Sequence, residues 1–149
     1  MRIGYAAPEF PGQTHTFFWR EILGLEALGA EVVPISTRPP PRHVMPHDWS
    51  AAAAARTVYL ASTAPGAVAR TGLDWPGALW GLRGDMARQG AGDAARMAAM
   101  APFAAALVRH ARALELDHVH VGSCGQTALI VAMARRLGGP PYSLTLHNP

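Results

Sequence analysis

Three residues that could do chemistry stand at the carboxyl ends of predicted strands or in the loops that follow them, where open α/β sheets usually bind their ligands. They are Gly12, Ser123 and His147. Gly12 would let a ligand approach the backbone just before a helix N-terminus, whose N–H groups and partial positive charge suit a phosphate. An imidazole at a strand end, as at His147, can donate to a substrate hydroxyl or stabilise developing charge, although a structural role fits it equally well. The pattern predicts a ligand-binding edge formed by the loops after the first, fourth and fifth strands.

Two of these loops also have simpler interpretations. The first loop lacks the G-x-G-x-x-G and Gly-Lys-Ser/Thr patterns of phosphate binding, so a plain strand–helix connection with Thr14 or Thr16 as N-cap accounts for it. Ser123 lies in the small-residue turn Gly122-Ser-Cys-Gly125, without a G-x-S-x-G elbow or a marked triad partner. Cys124 is the only cysteine, and we expect it to be a small packed residue rather than a reactive thiol.

A pair of histidines, His118 and His120, occupies alternate positions of the predicted fourth strand. Side chains two apart in a strand point to the same face of the sheet, and an H-x-H pair can bind a metal. Because no carboxylate or cysteine ligand follows at a recognisable spacing, a structural role is the favoured interpretation and no metal site is predicted.

The elements that must position these residues alternate regularly between strand and helix. A first helix is predicted between Thr14 and Gly29, and Gly29 is its stop. A second helical segment is predicted over part of 75–89. Pro102 is expected to divide or kink the helical region in which it lies. Strands alternating with helices imply parallel pairing and right-handed crossovers, and hence an α/β fold, a Rossmann-like three-layer sandwich around a mostly parallel sheet. The first and fourth loops should be neighbours at the topological switch point. The predicted strands cover residues 2–6, 31–37, 57–60, 118–121 and 142–147, and the other helical segments cover 51–56, 103–114 and 126–137. Gly138 is the predicted stop of the last of these helices.

Composition excludes several classes of protein. The 149 residues are half hydrophobic and carry a formal net charge of +3, which suits one folded domain. All 13 basic residues are arginines scattered along the chain, without a basic stripe, so nucleic-acid binding is not expected. The single cysteine excludes an internal disulfide framework, and neither a signal peptide nor a membrane-spanning run is visible. These features predict a cytoplasmic protein.

Three segments together resemble one family of enzymes. Residues 10–29 are similar to the motif FP-x-x-SETF-x-x-x-EI-x-x-L-x-x-x-G, residues 117–122 to D-H-I-H-A-H, and residues 141–147 to P-F-S-x-T-x-H. Their order and spacing resemble the N-terminal half of a GT-B-fold, family 4 type (retaining) glycosyltransferase, particularly of the exopolysaccharide and colanic-acid subgroup. Residues 38–100 take no part in the resemblance.

The resemblance implies a transferase that moves a sugar from a nucleotide-diphosphate sugar to an acceptor such as a growing polysaccharide or glycolipid. It implies neither a cofactor nor a metal. Carried over by position, Gly12, Gln13 and Thr14 would lie against the donor diphosphate, His147 would contact the transferred sugar near the reaction centre as the catalytic residue, and Ser123 would line the cleft. The chain departs from the motif at His15, where the family usually has Glu, and at Gly122, which replaces the last histidine of the second motif.

Because the chain ends on a predicted strand of the binding edge, we expect residues 1–149 to be the N-terminal, acceptor-side lobe, with the C-terminal donor-binding domain absent. Such a lobe alone should be inactive or nearly so. Two expectations on partners stay open: a peripheral membrane contact of the parent protein, and a homo-oligomer of the isolated lobe. The alternative is a non-catalytic interaction module with a glycosyltransferase-like fold. A flavodoxin-like binding protein is disfavoured, because the first loop lacks the hydroxyl-rich phosphate loop of such proteins.

Overall fold

A five-stranded, wholly parallel sheet forms the centre of the part of the chain that the structure describes. The computed structural model describes residues 1–41, 45–61 and 65–145, without the side chains of residues 65–73. The strand order is β3-β2-β1-β4-β5, and every neighbouring pair is parallel. The α/β prediction of a Rossmann-like sandwich is confirmed, and so is the adjacency of the first and fourth strands. The strands are β1 Arg2–Ala7, β2 Glu31–Ser36, β3 Val58–Tyr59, β4 His118–Val121 and β5 Tyr142–Leu144.

Five helices connect the described strands, and two of them differ from the sequence prediction. The third begins ten residues before Trp75, at Pro65, and the fourth runs without interruption through Pro102. None of the helices in the described residues is both long and apolar enough to cross a membrane. The helices are α1 Thr16–Ala27, α2 Ser50–Arg56, α3 Pro65–Met86, α4 Ala91–Ala113 and α5 Gln126–Arg136.

The continuity of α4 has a specific cause. A proline inside a helix cannot donate to the carbonyl four residues earlier, which for Pro102 is that of Ala98. The indole Nε1–H of Trp75, on α3, donates to this Ala98 carbonyl at 3.1 Å. The predicted division at Pro102 was therefore wrong, because a neighbouring helix supplies the donor that the proline lacks, while the alternative, a kink at Pro102, stays a prediction.

The ends of the helices agree only in part with the predicted caps. His15, not Thr14 or Thr16, is the N-cap of α1, and no side chain caps this end by a hydrogen bond. Gly29 and Gly138 both adopt φ of +87°, which confirms that each provides the left-handed stop after its helix. The fifth strand ends at Leu144, and Thr145 already lies outside it. The last two residues of the predicted strand, 146 and 147, lie outside the described residues.

Two hydrophobic clusters of unequal size cover the two faces of the sheet. The larger joins β1, β2 and β4 to helices α3, α4 and α5, with Leu107 and Ile130 each 1% exposed. The smaller joins Tyr5 on β1 to Phe18 and Ile22 on α1. We call these the sealed face and the α1 face.

Candidate functional site

The loops after β1 and β4 meet at the carboxyl edge of the sheet. Gly122 N–H donates to the Ala6 carbonyl at 3.2 Å, which continues the pairing of β4 with β1 beyond the strand ends. Phe18, in the first turn of α1, contacts both loops: its ring lies 5.0 Å from that of His15, and it is the close neighbour of Gly122. The predicted switch point is therefore present, with the two loops packed around one aromatic ring.

The loop after β1 is pinned to the end of β2 by a buried serine. Phe10 N–H donates to Ser36 Oγ at 2.9 Å, and the Ser36 hydroxyl donates to the Arg38 carbonyl at 3.0 Å. Phe10 is 1% exposed, so its side chain anchors the loop in the α1-face core. This pinning gives residues 8–15 a defined course between strand and helix.

Gly12 is required by the close approach of His15. A Cβ atom at position 12 would lie 2.9 Å from His15 Nδ1 and 3.0 Å from Cε1. His15 N–H donates to the Gly12 carbonyl at 3.0 Å, so the turn is closed by the same two residues. The glycine thus makes room for a histidine ring rather than standing open to solvent.

The imidazole of His15 has a buried nitrogen without a partner. Its Nδ1 is inaccessible and has no hydrogen-bond partner among the described residues. The ring stacks on Phe10 at 6.0 Å between centroids, and burial lowers the pKa of His15 from its ordinary value. Burial therefore favours the neutral form of the imidazole at the N-cap of α1, where one of its nitrogens is unsatisfied.

The loop after β4 brings a second unsatisfied polar atom to the same edge. Ser123 Oγ is buried and has no hydrogen-bond partner in the described chain. Gly122, just before it, would place a Cβ atom 2.5 Å from Tyr5 Oη and 2.6 Å from the Phe18 ring, so only glycine fits there. Cys124 is exposed; the expectation that it is packed was wrong, because the turn carries it away from the sheet.

A cavity of about 380 Å³ opens beside these loops. Its polar wall comes from the loops after β1 and β2, including His15 and Arg38, and from Gln126 at the start of α5. Its apolar floor includes Met100 and Phe103 of α4. Arg38 forms an ion pair with Glu9, which also lines the cavity, so its charge is already compensated.

The residues that the sequence predicted for the site differ in their burial and in their position relative to the cavity. Gly12 is buried and Ser123 half-buried at the edge, whereas Gln13 and Thr14 are exposed and do not line the cavity. His47 Nε2 lies 2.8 Å from the Gln13 carbonyl, which ties this segment to the chain that precedes α2. His147 lies outside the described residues, so its predicted catalytic position stays a prediction.

Sequence reasoning missed His15, whose nitrogen is the nearest unsatisfied group to Gly12. The available signal was its departure from the family motif at that position. The partnership between Ser36 and Phe10 had no signal in the sequence, because it joins residues 26 positions apart.

No protein-family model matches the chain, and no curated protein matches it.

Proposed function

We propose that this chain is the N-terminal lobe of a retaining glycosyltransferase of the GT-B fold and family 4 type. The transferase would move a sugar from a nucleotide-diphosphate sugar to an acceptor such as a growing polysaccharide or glycolipid. The proposal combines the three sequence motifs with the site at the strand ends. The donor-binding lobe would come from further sequence of the parent protein.

One observation carries the proposal: two buried polar atoms without partners, His15 Nδ1 and Ser123 Oγ, belong to the two loops of the switch point. A buried polar group left unpaired costs about 1–3 kcal/mol. A buried polar atom without a partner calls for an explanation, and a role in binding supplies one here, since a hydroxyl-rich ligand such as a sugar can both donate and accept. A cavity with polar walls and an apolar floor beside His15 is typical of small-molecule sites.

Each part of the edge has a role in the proposal. The N-terminus of α1 offers backbone N–H groups and a partial positive charge to the donor diphosphate, next to Gly12, Gln13 and Thr14. Both unpartnered atoms are inaccessible in this structure, so the proposal requires the two loops to uncover them when the ligand binds. His15 Nδ1 and Ser123 Oγ would then orient sugar or acceptor hydroxyls. His147 acts near the reaction centre, as the resemblance implies.

The test is a transfer assay on the product of the complete reading frame, with a panel of UDP-, GDP- and dTDP-sugars and lipid-linked acceptors. We expect transfer with retention at the anomeric carbon, and a loss of at least about tenfold in kcat/KM in His15→Ala and in Ser123→Ala, because each removes one hydrogen bond to the substrate. His110→Ala, in the last turn of α4, is the matched control and should retain activity.

The isolated chain supplies the complementary measurement. We expect chemical-shift changes at Gly12, His15 and Ser123 when a sugar nucleotide is added, without transfer. Transfer by the 149-residue chain alone would overturn the two-lobe proposal. Failure of both proteins to bind any sugar nucleotide would instead support the non-catalytic interaction module.

A further inference from the structure

Two imidazoles on the α1 face converge on one hydroxyl group. His118 Nε2 lies 2.9 Å from Ser143 Oγ, and His120 Nδ1 lies 2.8 Å from the same atom. His120 and Ser143 are register partners of β4 and β5, and His118 is two residues earlier on the same face. Both histidines are half-buried and Ser143 is exposed, so solvent reaches the convergence point.

The other nitrogen of His120 is held from behind. Its Nε2 lies 3.0 Å from Thr145 Oγ1 and 3.5 Å from Glu21 Oε1. Glu21 is itself fixed, because the Tyr5 hydroxyl donates to its Oε2 at 2.5 Å. A carboxylate behind an imidazole is the usual outer partner of a metal-binding histidine, since it sets the tautomer and orients the ring.

We propose that His118 Nε2 and His120 Nδ1 chelate a divalent transition metal such as Zn²⁺, Ni²⁺ or Cu²⁺, at the point now taken by Ser143 Oγ. Imidazole nitrogen favours these ions, whereas Mg²⁺ and Ca²⁺ need oxygen ligands. Zinc–nitrogen bonds of about 2.0–2.1 Å require each ring to move inward by roughly 0.8 Å. Water completes the coordination.

In the part of the chain that the structure describes, the protein supplies two histidine ligands to this site and no third His, Cys, Asp or Glu ligand. Within residues 1–41, 45–61 and 65–145, no group of three or more His, Cys, Asp and Glu side chains could hold a metal. Two open positions therefore remain for water, and binding should be reversible. None of these residues lines the cavity at the strand ends, so this site stands or falls separately from the proposed transfer.

A catalytic serine is the competing explanation of the same contacts, with Glu21, His120 and Ser143 as a triad. It accounts less well for His118. A hydroxyl has one proton and can give it to one imidazole only, so the second ring must donate to Ser143 Oγ, which lowers the nucleophilicity of that oxygen. Two ring nitrogens that lie 2.9 and 2.8 Å from one point can instead serve as the two arms of a chelate.

Titration of the tag-free chain with Zn²⁺ and Ni²⁺, followed by calorimetry at neutral pH, tests the site. We expect saturable binding of either metal at a single site and none of Mg²⁺. His118→Ala and His120→Ala should each weaken binding by at least about tenfold, because each removes one arm of the chelate. His110→Ala, away from the site, should bind like the unaltered chain. Absence of saturable binding, or an equal loss in His110→Ala, would overturn the proposal.

Two further variants keep the test sharp if an alanine variant folds poorly. Ser143→Cys should raise Zn²⁺ affinity at least about tenfold, because its thiolate, turned aside from the point that the metal takes, would add a third ligand to the two imidazoles. Glu21→Gln should weaken binding by about tenfold through the orientation of His120. An unchanged affinity in Ser143→Cys contradicts the convergence of the two rings. Labelling of Ser143 by a fluorophosphonate, abolished in His120→Ala, would favour the catalytic serine.

Discussion

The two faces of the sheet are built from the same strands but perform different tasks. On the sealed face, β4 contributes Val119 and Val121, both 0% exposed beneath α4 and α5. On the α1 face, the alternate positions of the same strand are His118 and His120, which bind polar partners and remain half-buried. Strict alternation along one strand thus separates a stability face from a face available for chemistry.

The difference shows where this protein keeps its unsatisfied and polar groups. The sealed face holds mostly alanines and aliphatic residues, packed between three helices and the sheet. Its contribution to stability comes from the removal of apolar surface from water. The α1 face holds an aromatic core around Phe18, a tyrosine–glutamate–histidine network and the edge with the orphaned atoms. The largest mutational effects on stability should therefore come from the sealed face.

The strongest test of this comparison is Leu107→Ala in α4. Leu107 is 1% exposed at the centre of the large cluster, and we expect a loss of about 2–5 kcal/mol in the free energy of unfolding, from lost burial and the cavity left behind. Leu23→Ala is the matched control, a helical leucine that is 45% exposed on α1. Chemical denaturation measures both. Similar losses in the two variants would contradict a sealed face.

On the α1 face, the substitution that tests the close packing most directly is Gly122→Ala. The added Cβ would meet Tyr5 Oη and the Phe18 ring, so we expect a loss of about 1–3 kcal/mol from overpacking. Gly24→Ala, where a Cβ meets nothing within 4 Å, should stabilise α1 by up to about 1 kcal/mol. Thermal unfolding of the pair distinguishes crowding from a general effect of glycine replacement; equal signs would refute the close packing at the switch point.

A smaller effect is expected where α3 supports α4. Trp75→Phe removes the donor to the Ala98 carbonyl and should cost about 1 kcal/mol in the presence of Pro102. In a Pro102→Ala background the new backbone N–H can bond the same carbonyl, so the cost of Trp75→Phe should shrink. A double-mutant cycle in denaturant measures the coupling, and additive losses would show that Trp75 does not compensate for the proline.

The smallest expected effect is on the dependence of stability on pH. Burial lowers the pKa of His15, and burial with the nearby charge of Arg109 lowers that of His110. The unfolded chain then binds more protons than the folded one, so stability should fall as the pH drops below about 6.5 and should be fully present above it. Glu9 and Arg38 share the cavity with His15 and are paired with each other. His15→Gln should make the free energy of unfolding depend less steeply on pH. Chemical denaturation between pH 7 and 5 measures this dependence, and an unchanged dependence would contradict the burial of the ring.

Much of the architecture follows from local patterns. The apolar runs and helical periodicity correctly predicted the five strands, helices α1 and α5, and the stops at Gly29 and Gly138. The start of α3 was missed, because residues 62–92 are rich in glycine and proline and show no clear periodicity. Pro102 was misjudged for a related reason: the donor that compensates for it comes from another helix.

The candidate site could be anticipated only as an edge. Strand alternation and small-residue turns predicted that the loops of Gly12 and Ser123 would be neighbours, and the hydrogen bond from Gly122 to Ala6 confirms that the two strands stay paired up to those loops. The exposure of Cys124 and the burial of His15 Nδ1 were not predictable. Both depend on how a turn sits against an aromatic ring contributed by another element.

The amino-acid sequence by itself determined the order of strands and helices, the parallel sheet and the shared face of His118 and His120, because these follow from periodicities along the backbone. Only the tertiary structure decided which polar atoms lack partners and which side chains converge. The hydroxyl of Ser143 meets two imidazoles from residues 23 and 25 positions away. Such meetings depend on register and packing between distant segments, which no local pattern encodes.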